Sequence, residues 1–286
     1  MIGNKKEIHA GNNSMNVQAQ NASIQYYGIS YSEAKEVAMD VFKSNFYDLG
    51  GKVEKLVNER AEEIINRYLE QLEEANPKAI TNTEDPDVRF AIYEVQKSYA
   101  RLGDKDIADL LVDVLVDRTI TKERSLLRIV YNEALEIMPK LTSKQIDVLT
   151  VIFLIRYVNL GANFSIDYLN EIMTKIANNI SRAEFFYQHL QYTGCISMGF
   201  GLGNITNILK KHYPNLVPSS TDNEDLIFNE NLQNIAPYVH SLVKIWDGTN
   251  LCNFKLTSVG IAIALSNFKK KVDCDWDLAV WIREKI

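Results

Sequence analysis

Residues 52–74, which read KVEKLVNERAEEIINRYLEQLEE, decide the fold class of this chain. Apolar side chains recur there every three or four positions, and charged residues fill the intervals. At 3.6 residues per turn these apolar positions share one face, which predicts a long amphipathic helix packed against a core. They are Val53, Leu56, Val57, Ile64, Ile65, Tyr68, Leu69 and Leu72. Asn76-Pro77 ends the helix, because proline disfavours the helical conformation in the residue before it.

Helical signals continue on both sides of this stretch. Ser30 and Glu33 have the spacing of a capping box, which predicts a helix start. Asp85-Pro86 predicts another start, with proline in the first turn. Similar patterns predict helices over residues 107–117, 125–137, 142–158, 166–191 and 204–213. The sequence therefore predicts a mainly α fold with a multi-helix body over residues 29–217.

Composition limits the classes of protein to which the chain can belong. Its 286 residues are 46% hydrophobic, which is enough apolar material to bury a core. The formal net charge is -6, so the chain lacks the positive surplus that drives non-specific phosphate binding. Nucleic acid is therefore the less favoured partner, and a contact with it would need a local basic patch.

Cysteine usage and hydropathy predict a cytoplasmic location. Cys195, Cys252 and Cys274 are an odd number at wide spacing, which favours reduced thiols over disulfides or a zinc site. Residues 1–23 are polar and lack the apolar stretch of a signal peptide. The longest apolar run, residues 146–160, is interrupted by Arg156 among other polar residues and is too short to span a bilayer. No membrane association is predicted.

The N-terminal segment differs in kind from the helical body. Residues 15–24 alternate apolar and polar side chains after the turn-forming sequence Gly11-Asn12-Asn13-Ser14, which predicts a strand. A lone strand leaves its backbone groups unpaired, and no later segment is an obvious β partner. We therefore expect residues 1–28 to pair with the same segment of further copies in a homo-oligomer. The expected contact residues are Asn16, Val17, Gln18, Ala19 and Ile24. The alternative is a disordered tail.

Residues 218–286 are interpreted as a separate C-terminal helical module, because residues 218–223 have linker composition. In this module Leu256-Thr257 caps a helix that contains Gly260. This arrangement is similar to the end of many winged-helix modules. The following residues, Lys269, Lys270 and Lys271, are the candidate nucleic-acid contact in this sequence. Their alternative interpretation is a solvated helix end.

Two acidic patterns have metal-ligand spacing. Asp273, Asp275, Asp277 and Glu284 occupy positions 1, 3, 5 and 12 of a calcium loop, but position 6 is Leu278 in place of glycine. A plain N-cap by Asp275 or Asp277 is the alternative. A second set lies at helical spacing and predicts a solvated polar face rather than a metal site. It consists of Asp106, Asp109, Asp113 and Asp117.

Motifs for catalysis or cofactor binding are missing from the sequence. It contains no Walker-type phosphate loop, no H-E-x-x-H and no G-x-S-x-G. Residues 199–204, GFGLGN, carry the first two glycines of a dinucleotide fingerprint but Asn204 in place of the third, which favours a flexible connection. No cofactor is predicted.

The chain resembles an uncharacterised bacterial family with a G-N-N-S…Q-A β-type leader and a helical body. The resemblance rests on Gly11-Asn12-Asn13-Ser14 with Gln18-Ala19, Asp85-Pro86, Tyr99-Ala100-Arg101, Leu110-Leu111-Val112, Asp117-Arg118, Asn132-Glu133-Ala134-Leu135, Pro139-Lys140-Leu141-Thr142 and Leu256-Thr257-Ser258-Val259-Gly260. It implies a helical protein with an N-terminal β-type segment and transfers no active-site residues. Similar leaders in bacterial anti-phage proteins imply a role in defence.

The function expected from these observations is that of a non-enzymatic, homo-oligomeric scaffold or sensor that binds itself and another protein. One alternative is a nucleic-acid-binding regulator that uses the C-terminal module. Another is an enzyme whose dispersed active site leaves no sequence motif.

Overall fold

The computed structural model describes residues 28–45, 51–121, 125–177, 180–199, 203–217, 223–272 and 274–282. Its helices are α1 (Tyr31–Asn45), α2 (Gly51–Ala75), α3 (Pro86–Leu102), α4 (Lys105–Ile120), α5 (Leu126–Ile137), α6 (Ser143–Tyr157), α7 (Leu160–Asn163), α8 (Ile166–Ile176), α9 (Glu184–Tyr192), α10 (Ile205–His212), α11 (Glu224–Ile235), α12 (Pro237–Asp247) and α13 (Ser258–Val272). Its strands are β1 (Ile196–Met198) and β2 (Phe254–Leu256), and short 3₁₀ segments join some elements. The predicted mainly α fold is confirmed.

Several helices begin where the capping signals of the sequence predict. The Ser30 backbone N–H donates to Glu33 Oε2 at 2.8 Å, and the Glu33 N–H donates to Ser30 Oγ at 3.3 Å. Thr142 forms the same reciprocal pair with Gln145 at the start of α6. Both boxes satisfy backbone donors that the first turn of a helix leaves free.

The stretch of residues 166–191, predicted as one helix, contains two helices in the structure. α8 ends at Ile176, and α9 begins at Glu184. Between them the Ser181 hydroxyl accepts from the Ala183 N–H at 3.2 Å, and the Ser181 carbonyl accepts from the Tyr187 hydroxyl at 2.6 Å. These bonds offer the backbone an alternative to the helical ladder, and the chain turns there.

α6 and α13 pack against each other inside the helical body. α6 is buried on nearly every face from Gln145 to Ile155, and α13 is buried from Val259 to Phe268. A helix that is apolar all round belongs in an interior, and α13 also packs against α4 and α5. The Asn267 amide crosses the contact and donates to Thr150 Oγ at 2.8 Å. The two helices therefore form the centre of the core.

The two strands join distant parts of the chain. β1 and β2 are antiparallel, with Ile196 opposite Leu256. The Tyr157 hydroxyl bonds both backbone groups of Leu256. It accepts from the Leu256 N–H at 3.0 Å and donates to the Leu256 carbonyl at 3.2 Å. The strand pair is thereby tied to the last turn of α6.

The winged-helix-like C-terminal module is not confirmed. β2 pairs with β1 rather than with a strand of residues 218–286, and α13 lies in the core of the body. The proposed boundary itself falls outside the described residues, while the residues described on either side share one apolar core. After α13, the described residues contain a 3₁₀ turn at Leu278–Val280.

Among the helices described, none combines the length and apolar character needed to cross a membrane.

Candidate functional site

The three lysines predicted as a nucleic-acid contact lie in the last turn of α13 and face acidic side chains. Lys270 Nζ lies 2.6 Å from Asp109 Oδ2, and Lys269 Nζ lies 3.5 Å from Asp117 Oδ2. Lys271 Nζ lies 4.0 Å from Asp147 Oδ1 on α6. Each positive charge thus has a carboxylate beside it, which weakens the field that would attract phosphate. The nucleic-acid role of these residues stays a prediction.

Three acids of α4, Asp109, Asp113 and Asp117, contact side chains of α2 or α13, whereas Asp106 is 80% exposed. Asp109 also pairs with Arg67 of α2, and Gln71 Nε2 donates to Asp113 Oδ1 at 2.7 Å. Burial raises the pKa of Asp113 and of Asp117, although Lys269 acts in the opposite direction. The sequence spacing showed one face of α4 but could not show that two other helices cover it.

The calcium pattern is only partly within the described residues. Asp277 Oδ1 accepts from the Ala279 N–H at 2.8 Å and caps the 3₁₀ turn, as the N-cap alternative expects. Asp275 is described as well, whereas Asp273 and Glu284 lie outside the described residues. In the part of the chain that is described, no group of three or more His, Cys, Asp or Glu residues could hold a metal. Calcium binding by the full set stays a prediction.

The assembly residues expected from the N-terminal pattern, Asn16, Val17, Gln18, Ala19 and Ile24, also lie outside the described residues. The structure therefore neither places them nor tests them.

A charged network that the motif search missed joins the start of α3, the end of α4 and α5. The Arg118 side chain is buried, pairs with Asp87, and donates from Nε to Asn132 Oδ1 at 2.6 Å. Arg128 adds a second cation, and its Nη2 lies 3.0 Å from Oδ2 of both Asp87 and Asp85. Burial acts to raise the pKa of Asp87, but the hydrogen bond from Asn132 and the two arginines lower it overall.

The same network brings together three segments on which the family resemblance rests. Asp85-Pro86, Asp117-Arg118 and Asn132 are far apart in the sequence and meet at this junction. The two arginines and two aspartates compensate each other, which fits a role in holding three helices together. No spacing within a single segment could have revealed the network.

The most exposed large apolar side chains in the described structure are on α9. Phe185 is 81% exposed and Tyr192 is 88% exposed. They are seven residues apart, so they point from the same side of the helix. The opposite side is buried, and Tyr187 stacks on Phe254 of β2 with ring centroids 5.5 Å apart. We call Phe185 and Tyr192 the α9 surface.

Sequence reasoning missed the α9 surface because the run Phe185-Phe186-Tyr187 fits a helix core equally well. A helix continuous from residue 166 gives no sign of which aromatic side chain faces the body. The break before α9 sets that orientation.

Comparison with known proteins gives a family and no activity. A protein-family model matches the chain over residues 28–227 and 222–282, nearly all of the helical body. The chain belongs to this family. The match agrees with the expected membership of an uncharacterised family. It does not extend to residues 1–27, so the leader motif and the link to defence stay predictions. No curated protein and no solved structure matches the chain.

Proposed function

We propose that the protein is a non-enzymatic interaction protein, which assembles with itself through residues 1–28 and presents its helical body to another protein. The observation that carries the proposal is the α9 surface, where Phe185 and Tyr192 stand almost fully in water. Large aromatic side chains contribute strongly to protein interfaces, because they bury much apolar area and lose little side-chain entropy. A partner that covers both rings would remove that area from water.

Self-assembly rests on the sequence pattern of the N-terminal segment. Its period-two alternation suits a strand, and an isolated strand gains stability by pairing with another. A place in anti-phage defence belongs to the same proposal and is supported by the likeness of this leader alone.

Light scattering tests the self-assembly. We expect full-length protein to have the mass of an oligomer and residues 30–286 to have the mass of a monomer. Two monomeric masses would contradict the proposal, and two identical oligomeric masses would contradict the role of the leader.

The partner surface is tested by recovery of bound protein from extracts of the source cells. A tagged full-length chain is compared with the double variant Phe185→Ser/Tyr192→Ser. The matched control is Leu226→Ser/Tyr238→Ser, which removes two other exposed apolar side chains from α11 and α12. We expect at least a tenfold loss of a specific co-purifying protein for the α9 variant and none for the control. Equal recovery from all three chains would refute the role of α9.

A further inference from the structure

Arg156 holds a positive charge in a confined site at the end of α6. Its guanidinium carbon lies 5.4 Å from the ring centroid of Trp246, a cation–π distance. Its Nη2 donates to the Cys252 carbonyl at 2.5 Å. Gly203 is packed so closely that a Cβ at this position would overlap the guanidinium. The Trp246 indole in turn donates to the Gly203 carbonyl at 2.7 Å, which fixes these two neighbours relative to each other.

The charge of Arg156 has no carboxylate beside it in the described structure. Burial lowers the pKa of Arg156, and the nearby Tyr157 and Cys252 side chains act in the opposite direction. Its Nε is buried and has no hydrogen-bond partner among the described residues. Arg118, the fully buried arginine, differs in that Asp87 and Asn132 satisfy it. The side chain as a whole is half-buried, but a buried nitrogen donor without an acceptor is unfavourable, because it has lost water and gained no hydrogen bond.

We propose that Arg156 is the cation of an anion-binding site that takes a small oxyanion. The guanidinium is planar and offers paired N–H donors, which match the two oxygens of a carboxylate or two oxygens of a phosphate. Trp246 and the Cys252 carbonyl hold that plane in one orientation, so little side-chain entropy is lost when an anion binds. The missing side chain at Gly203 leaves room for the guanidinium to keep this position. The site is independent of the α9 surface.

Titration of the full-length protein with inorganic phosphate, and separately with acetate, tests the proposal. Thermal unfolding and calorimetry are followed against sodium chloride at equal ionic strength. We expect a saturable rise in Tm and measurable heat for one of these anions, because a ligand that binds only the folded state stabilises it. The two titrations distinguish phosphate from carboxylate chemistry. Absence of a saturable response to both anions would overturn the proposal.

Substitutions test whether the response to the anion depends on Arg156. Arg156→Met should abolish it, and Arg156→Lys should weaken binding at least tenfold, since an ammonium keeps the charge but loses the bidentate geometry. Lys211→Met removes an exposed cation from α10 and should respond as the wild type does. An unchanged response in folded Arg156→Met would place the anion elsewhere and refute the site.

Gly203→Ala provides a test that leaves Arg156 in place. The backbone of Gly203 is outside the left-handed region, so alanine is compatible with it, but the added Cβ forces the guanidinium to move. We expect a folded protein with anion binding weakened at least tenfold. Wild-type affinity in this variant would contradict the proposed geometry, also in the case where Arg156→Met does not fold.

Discussion

The acids of α4 show how burial changes the behaviour of a single side chain. Asp113 receives a hydrogen bond from Gln71 and faces the charges of Lys269, Lys270 and Arg67, yet burial raises its pKa. Since the folded-state pKa lies above the unfolded value near 3.9, folding favours the protonated carboxyl. The contribution of Asp113 to stability is therefore fully present below the unfolded pKa and is lost as pH rises through the folded pKa.

Asp113→Asn should remove this loss. The asparagine oxygen still accepts from Gln71, but the side chain no longer ionises in a buried position. We expect the free energy of unfolding of the variant to exceed that of the wild type by an amount that grows as the pH rises from the unfolded pKa of the carboxyl through its raised folded pKa. Urea unfolding at a series of pH values measures it. Asp106→Asn is the control, because it removes a carboxylate of the same helix that is 80% exposed in place of a buried one. If the free energies of unfolding of Asp113→Asn and the wild type differed by the same amount at every pH, the effect of burial on Asp113 would be contradicted.

At this scale the sequence predicted which residues share a helix face but not which faces are covered. Val53 and Leu56 were assigned to an apolar face and are 49% and 46% exposed, whereas Asp113 was assigned to a solvated face and lies in a seam. Periodicity fixes the direction of a side chain around its own helix. Coverage depends on a second helix that is distant in the sequence.

At the scale of elements, close packing places α13 against the residue before β1. Gly260 lies in the first turn of α13, and a Cβ there would overlap the Cys195 carbonyl oxygen. The Thr257 N–H also donates to that carbonyl at 3.1 Å. Glycine is needed at this position for close approach rather than for a special backbone angle.

Gly260→Ala should destabilise the protein by at least about 2 kcal/mol, because a backbone carbonyl cannot move aside without shifting a strand or a helix. Gly199→Ala is the matched control. Its Cβ would meet the Lys255 side chain at 2.8 Å, and that flexible chain can turn away. Urea unfolding of both variants gives the comparison. Equal midpoints would show that the contact at Cys195 yields easily.

Helix starts were predictable because a cap is a local event, complete within four residues. Ser30 with Glu33 and Thr142 with Gln145 show this directly. The strands were not predictable. β1 and β2 have three residues each and pair with each other across more than fifty residues of sequence, and β2 is also bonded to the Tyr157 hydroxyl.

At the scale of the whole molecule, the larger apolar cluster of the described residues contains side chains from the body and from residues 223–282. Linker composition predicts a boundary at residues 218–223, which stays a prediction. Local composition could not show that α13 packs against α6. The anion site of Arg156 was equally hidden, because Gly203, Trp246 and Cys252 meet it only through the fold.

A fragment of residues 29–217 should therefore lack a cooperative unfolding transition. Without β2 and α13, the apolar faces of α4, α5 and α6 that contact them would be exposed to water. Residues 29–286 are the control and should unfold cooperatively. Differential scanning calorimetry compares the two, and a sharp transition in the shorter fragment would support the separate C-terminal module instead.

The pairing of α6 with α13 also has a consequence for biosynthesis. α6 is apolar on nearly every side, and its partner follows more than one hundred residues later in the chain. At a translation rate of about 5–20 residues per second, α6 waits on the order of ten seconds outside the ribosome before α13 can cover it. During that interval the apolar surface of α6 is exposed to the cytosol or to other proteins. We therefore expect its folding yield in vivo to depend on a chaperone that binds nascent chains.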